Sequence, residues 1–410
     1  MSGPFFQKQY DPQTLSNFFG STSLFQPRAP QKLAPVVGEF YNVQPKETSW
    51  TPGETTFTIH SDIPFNGNLL KDVWFEFTIS ALTAGAGTFN AGVDTLCLHD
   101  DPFYIMFEEI RLVDGGEVIE RLRMRPLHFI EMHTEMDQRK EIYDERGWLG
   151  SETACNAVAR AAKTYRVKIP FEFTKEFYKA LRLNSVRSSQ LSIEMKSNPK
   201  SYWWYSSDSG ITSATFTITA FSFWMEYFTL GQSELTSLLS RNLSFPYKYI
   251  EQLTEGTVTA SGASSTEHII ELPFLRPVDA IFVVMRDSTY AGYDKYWHSE
   301  NDTIIEKAAI KADGKWRWEQ MSAVWWMRIL PARIGYRANN NVCVFPATYA
   351  LNSATETGML DCSALQNVYL HIWTTSALTY NYLIFAVCPN IMSYQPIGAG
   401  GASIKSLYDR

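Results

Sequence analysis

The chain has 410 residues, among them seven histidines and five cysteines. Its carboxylate pairs Asp100/Asp101, Glu108/Glu109 and Glu131/Glu135 are the side chains best suited to general acid–base or glycosidic chemistry. Glu131 and Glu135 stand at i,i+4, the spacing of a solvated helix face. His128 and His133 stand at i,i+5 and diverge, and no H-E-x-x-H is present. Cys97, Cys155, Cys343, Cys362 and Cys388 form an odd set without a C-x-x-C pair. They predict buried reduced thiols, with neither a disulfide framework nor a zinc site. Cys155 lies near Arg160 and Lys163, but no histidine follows in a nucleophile motif. No G-x-S-x-G elbow, Walker loop or G-x-G-x-x-G follows a strand, and Asp114-Gly115-Gly116 reads as a hairpin turn. The expectation is no catalytic residue, no cofactor, no metal site and no enzyme. The sequons at Asn242 and Asn301 read as chance matches.

Aromatic clusters remain. Tyr202-Trp203-Trp204-Tyr205, the loop Tyr290 to Trp297, and Trp316, Trp318, Trp325 and Trp326 are dense in Tyr and Trp. Such rings serve sugar binding or burial at subunit contacts, where Tyr and Trp concentrate. Composition favours contact: charged residues are only 19% and aromatics 14%, the bias of surfaces destined to meet another chain. The net charge of −7 argues against a whole-surface nucleic-acid binder, so no direct sequence-specific nucleic-acid contact is expected. No apolar run reaches about 18 residues, the length a membrane-spanning helix needs. Met1 to Tyr10 has no apolar signal core, so no secretory signal is expected.

The elements that must position these residues are strands. Thr55 to His60, Val73 to Ile79, Thr215 to Phe228, Ala280 to Met285, Asn367 to Trp373 and Tyr382 to Val387 are β-branched, aromatic or alternating, between Gly/Pro/Asn/Ser turns. Helical patterning is limited to Pro126–Glu145, Phe177–Leu183 and a short connector, Ser233–Leu239. Residues 1–35 carry five prolines and scattered aromatics without a period, which predicts an extended arm lying against something.

A weak internal repeat organises the rest. Asp62-Ile-Pro-Phe65 recurs as Glu271-Leu-Pro-Phe274, and Asp72-Val-Trp-Phe75 as Asp279-Ala-Ile-Phe282. The Asp-Gly hairpin signals Asp114-Gly115 and Asp313-Gly314 follow in each half. Ile169-Pro-Phe and Val344-Phe-Pro come next, each leading to a strand opened by Gln190 or Gln366. The same order at offsets of roughly 200 residues predicts two copies of one all-β unit. Eight short strands in that length fit a jelly roll. The predicted fold is all-β: two tandem eight-stranded jelly-roll barrels with short helical insertions and an extended N-terminal arm. The predicted division is 1–35 arm, 36–232 first barrel, 233–398 second barrel and 399–410 tail.

Specific segments resemble the double jelly-roll major capsid proteins of nucleocytoplasmic large DNA viruses and their virophage and polinton-like relatives. Glu108 to Glu120, with Gly115-Gly116 at its turn, resembles the family's strand–turn–strand, followed by the helix Pro126 to Met136. Ile169-Pro-Phe-Glu-Phe173, Ala180 to Leu183 and Leu191 to Ile193 resemble the next segment, with Arg182 where a proline is usual. Tyr249 to Gln252 resembles the start of the second barrel. Val344 to Asn352, Thr357-Gly358 and Cys362 to Leu365 resemble a later run, with Thr357 and Asp361 departing from it. Ala386 to Met392 and the tail glycines Gly398, Gly400 and Gly401 resemble the family's C-terminus.

The resemblance implies a structural protein: a homotrimer whose six barrels make a pseudo-hexameric capsomer tiling an icosahedral shell in the virion. Its implied partners are itself, neighbouring capsomers, minor capsid and penton proteins, and an internal membrane. The candidate subunit or inner-face contacts are Phe5, Phe6, Phe18 and Phe19 of the arm, with Trp203, Trp204 and Trp297. The competing reading is a two-domain carbohydrate-binding or glycan-cleaving β-sandwich protein, which requires exposed stacked rings beside convergent carboxylates.

Overall fold

Alternation decides the strands. In Leu69–Ile79 the side chains of Val73, Phe75, Phe77 and Ile79 are buried while Trp74, Glu76 and Thr78 between them are half-buried. That is the period of two expected when one sheet face meets a core. The computed structural model describes residues 36–90, 93–134, 140–185, 190–232, 235–236, 243–253, 255–260, 265–334, 342–348, 358–365, 367–375, 378–394 and 404–406. The arm, with Phe5, Phe6, Phe18 and Phe19, lies outside the described residues, as does most of the connector Ser233–Leu239.

Eight strands form the first barrel: β1 (Val36–Val43), β2 (Thr58–Asp62), β3 (Leu69–Ile79), β4 (Phe107–Asp114), β5 (Glu117–Arg123), β6 (Lys163–Lys168), β7 (Leu191–Ser197) and β8 (Ile218–Leu230). They pair as two antiparallel sheets, β1-β8-β3-β6 and β2-β7-β4-β5. Eight more form the second: β9 (Leu243–Gln252), β10 (Thr266–Glu271), β11 (Ala280–Asp287), β12 (Ile305–Ala312), β13 (Lys315–Ser322), β14 (Cys343–Pro346), β15 (Tyr369–Thr374) and β16 (Thr379–Tyr394). Their sheets are β9-β16-β11-β14 and β10-β15-β12-β13. Every strand of the second barrel takes the place of the strand eight before it, the jelly-roll order twice.

The repeat seen in sequence falls on these equivalences. Asp62-Ile-Pro-Phe and Glu271-Leu-Pro-Phe leave β2 and β10; Asp72 and Asp279 lie in or just before β3 and β11. Asp114-Gly115 and Asp313-Gly314 join β4 to β5 and β12 to β13. Gly116 and Gly314 hold φ of 93° and 76°, with nothing within 4 Å of where a Cβ would stand. Backbone conformation, not space, selects glycine there.

Several helices and one terminal strand differ from the sequence-based expectation. Phe177–Leu183 is a 3₁₀ turn (Phe177–Lys179) followed by the two-residue strand Leu181–Arg182, because Leu181 and Arg182 pair with β3. The helix expected from Pro126 is α2 (Met124–Thr134), followed by α3 (Lys140–Arg146). Helices not foreseen include α1 (Pro102–Met106), α4 (Glu152–Ala159) and the π-helix Trp325–Ile329. In the tail, Ile404–Ser406 returns to pair with β16.

Burial separates the two barrels in one respect. The outward face of β3 is half-buried, whereas β11 is buried on both faces. Ile281, Val283 and Met285 point into the second barrel's own core. Phe282 and Val284 join a continuous apolar cluster with the core of the first barrel. Each fully buried side chain of this kind contributes about 1.5–3 kcal/mol, so the seam between barrels is stabilised like a core.

Candidate functional site

The residues that could do chemistry converge in that seam. Asp101 adopts the left-handed conformation (φ 52°, ψ 61°) at the N-terminus of α1 and is fully buried. Its Oδ2 lies 2.7 Å from His128 Nδ1 on α2 and 2.8 Å from an Arg146 guanidinium nitrogen on α3. Arg146 also lies 2.8 Å from Glu131 Oε2, and Tyr104 Oη donates to Glu131 Oε1 at 2.7 Å. The guanidinium carbon sits 4.7 Å from the Tyr104 ring centroid and 5.2 Å from that of Trp148. One cation thus ties α1, α2 and α3 together.

The second barrel closes the cluster. Trp297, from the connection between β11 and β12, lies on His128 with ring centroids 3.7 Å apart. Its Nε1 donates to the Asp100 carbonyl at 2.6 Å. The Asp100 carboxylate accepts from the backbone N–H groups of Leu149 (2.7 Å) and Gly150 (3.2 Å). His99 Nδ1 stands 2.6 Å from the Tyr293 carbonyl, and Tyr293 Oη donates to the Gly150 carbonyl at 3.2 Å. Arg125 of α2 donates to the Tyr296 carbonyl at 3.3 Å and pairs with Glu255 of the second barrel. Below these, Phe129 of α2 stacks on Phe385 of β16 (6.4 Å, 29°), which stacks on Phe282 of β11 (4.8 Å, 5°).

The protonation pattern is that of a sealed interior. Burial pushes His128 below its ordinary value despite the Asp101 charge. Burial alone would make Arg146 easier to deprotonate, but Asp101, Tyr104 and Glu131 hold its charge more firmly. Burial pushes the Asp100 carboxyl up to about 6 and His99 down to about 4. His99 also faces Asp294, Lys295 and Arg286. Unfolded histidine titrates near 6.5, so the unfolded chain takes up its proton first. The stabilisation from a neutral His99 is complete above pH 6.5 and is lost as the pH falls towards 4. Asp100 acts in the opposite sense below pH 6, since its folded form binds a proton more readily. His99→Gln should therefore flatten the acid-side fall in the denaturant midpoint between pH 7 and 5. A fall as steep as wild type would remove His99 from the account.

The geometry corrects one sequence-based expectation. Glu131 is half-buried and ion-paired rather than on a solvated face, while Glu135 lies outside the described residues. Asp100, Asp101, His128 and Glu109 are all buried, Glu109 among Arg111, Arg121 and Arg123. No sequence spacing announced the cluster, because Arg146 and Trp297 reach it from distant segments. Among the described residues no group of three or more His, Cys, Asp or Glu could hold a metal ion. All five cysteines are free and buried, and burial raises their thiol pKa values. Asn301 is fully buried, its amide spanning Val283 O and Met285 N, so that sequon is closed to modification in the fold.

The tryptophans named as contacts divide. Trp203 is 1% exposed inside the first barrel, packed against Trp50 (5.4 Å), with Nε1 donating to the Asn198 carbonyl. Trp297 is 5% exposed in the seam. Both lie inside one chain because each finds an indole acceptor and apolar neighbours there. Trp204 is half-buried on a short strand beside Leu96–Leu98. These positions leave no exposed aromatic groove at Trp203 or Trp297 for a sugar.

The comparisons with known proteins agree with the barrels. Residues 40–230 match the family model of the major capsid protein N-terminus. The whole chain is similar to the capsid of PBCV-1 virus, at 15% identity and TM-score 0.73, over 94% of this chain and 100% of that one. The Faustovirus major capsid protein follows at 10% identity and TM-score 0.68, over 91% and 92%. The mavirus major capsid protein has 10% identity and TM-score 0.55, over 99% and 95%. No curated protein matches by sequence. Residues 40–230 thus resemble the major capsid protein N-terminus, and the whole chain carries the double jelly-roll fold of the major capsid proteins.

Proposed function

We propose that the chain is a structural shell protein: a major capsid protein whose homotrimer forms a pseudo-hexameric capsomer of an icosahedral DNA-virus shell. One observation carries this reading. Two barrels of identical strand order are locked side by side by an interior-like seam, so a single chain supplies two near-equivalent units of a six-membered ring. A mere tether would leave the barrels free; the charged latch at Asp101, His128 and Arg146 fixes one orientation. Buried ion pairs are best attested in this specifying role rather than as a source of net stability.

The finer parts belong to the same proposal. The chain divides near residue 232, the arm 1–35 with Phe5, Phe6, Phe18 and Phe19 lies on the inner face or a neighbouring capsomer, and Trp204 lines a contact. Neighbouring capsomers, minor capsid and penton proteins and an internal membrane are the remaining partners. Synthesis and assembly take place in the host cell, where five free thiols stay reduced. Light scattering on the purified chain at micromolar concentration tests the core claim. A mass three times the 46.8 kDa of one chain is expected, and a monomer alone would refute the trimer.

A further inference from the structure

The seam within one chain is a template with an unused counterpart. Inside the chain, β5 at the edge of the first barrel and α2 directly after it lie against β9 of the second. There Phe129 of α2 covers the cross-strand pair Phe282/Phe385 on the outer face of β11 and β16. The strand equivalent to β5 is β13, also an edge, and it is largely exposed. Directly after it, in the place of α2, comes the π-helix Trp325–Ile329. Trp326 turns into the core, but Trp325 and Ile329 are each 45% exposed.

The other half of the template is bare as well. The strands equivalent to β11 and β16 are β3 and β8, and their cross-strand pair is Trp74/Trp224. Trp224 is 38% exposed, and on the neighbouring β1 Phe40 is 57% exposed. Phe40 stands directly opposite Glu226, a half-buried carboxylate in the field of Asp72, Lys71 and Lys168. The π-helix carries the exposed Arg328 between Trp325 and Ile329. Apolar side chains thus meet apolar ones, and the exposed Arg328 meets a face that carries the Glu226 carboxylate.

We propose that the outer face of the first barrel, at Phe40, Trp74 and Trp224, receives the π-helix Trp325–Ile329 of a second copy of this chain, repeating between copies the seam that α2 makes within one. The proposal rests on the trimer reading and adds its contact surface. The contact is heterologous, with different patches on the two sides, so it closes only as a ring. Two barrels per chain and one shared seam geometry close that ring at three chains.

Paired cysteines test it, because the five native thiols are buried. A chain carrying both Trp224→Cys and Trp325→Cys, treated with a short bismaleimide, should give covalent dimers and trimers on a denaturing gel. Reassembled mixtures of the two single variants should stop at dimers, and each single variant alone should give none. Glu226→Arg and Arg328→Glu, each checked for an unchanged melting temperature, should separately weaken trimer association at least tenfold and together restore it. Linked products from one single variant alone would show a two-fold contact and overturn the proposal. Wild-type trimers, with an unlinked double-cysteine trimer and indifferent charge variants, would overturn it while leaving the trimer standing. A wild-type chain that stays monomeric would instead end the trimer reading itself.

Discussion

Replacing Arg146 with methionine is expected to destabilise the chain by about 3–5 kcal/mol, the cost of leaving buried charges without their partner. Arg146 is 6% exposed and stands between Asp101 and Glu131, so its loss strands two carboxylates at once. His128 does not compensate, because burial favours its neutral form. Arg166 is the control: it also bridges two carboxylates, Glu76 and Glu145, but lies at the surface. Arg166→Met should cost under about 1 kcal/mol, as exposed pairs do. Denaturant midpoints of the two variants measure the contrast. Equal losses would mean that the buried cluster is not a latch.

Trp297→Ala is expected to cost a similar amount, about 3–5 kcal/mol for truncating a large buried aromatic. Its effect should also differ in kind. Trp297 covers His128 and donates to the Asp100 carbonyl across the seam, so truncation opens the apolar cluster where it joins the two barrels. Wild type should unfold in one transition, since the apolar cluster runs through both barrels. The variant should unfold in two, one per barrel. Trp325→Ala, at an exposed position, should leave the isolated chain within about 0.5 kcal/mol of wild type. A single transition for Trp297→Ala would show that the barrels are coupled elsewhere.

The fold was legible in the sequence where local signals and repetition coincided. Asp114-Gly115 and Asp313-Gly314 marked equivalent hairpins because a left-handed turn narrows the choice of residue. Asp62-Ile-Pro-Phe and Glu271-Leu-Pro-Phe marked equivalent strand ends. The near-continuous apolar run Ala280 to Met285 differed from the alternating Val73 to Ile79, and that difference recorded a strand buried on both faces. What such a run cannot say is what covers it; here the cover is a cluster that includes Phe385 and Phe129, the latter more than a hundred residues away.

The latch was hidden for the same reason. Asp101, His128, Arg146 and Trp297 lie on four separate elements, and each looks ordinary beside its sequence neighbours. Trp203 and Trp297 shared the composition of contact residues, since a buried indole with an internal acceptor and an indole at a subunit contact are written with the same letter. Trp325 and Trp326 are adjacent in sequence and opposite in fate, and only a helix of defined pitch separates them.

The most direct test of the central claim is electron microscopy of the purified full-length chain. Ring-shaped particles of six lobes around a three-fold axis are expected, with the lobes joined in three pairs of one chain each. Isolated two-lobed particles at micromolar concentration, with no rings, would contradict it.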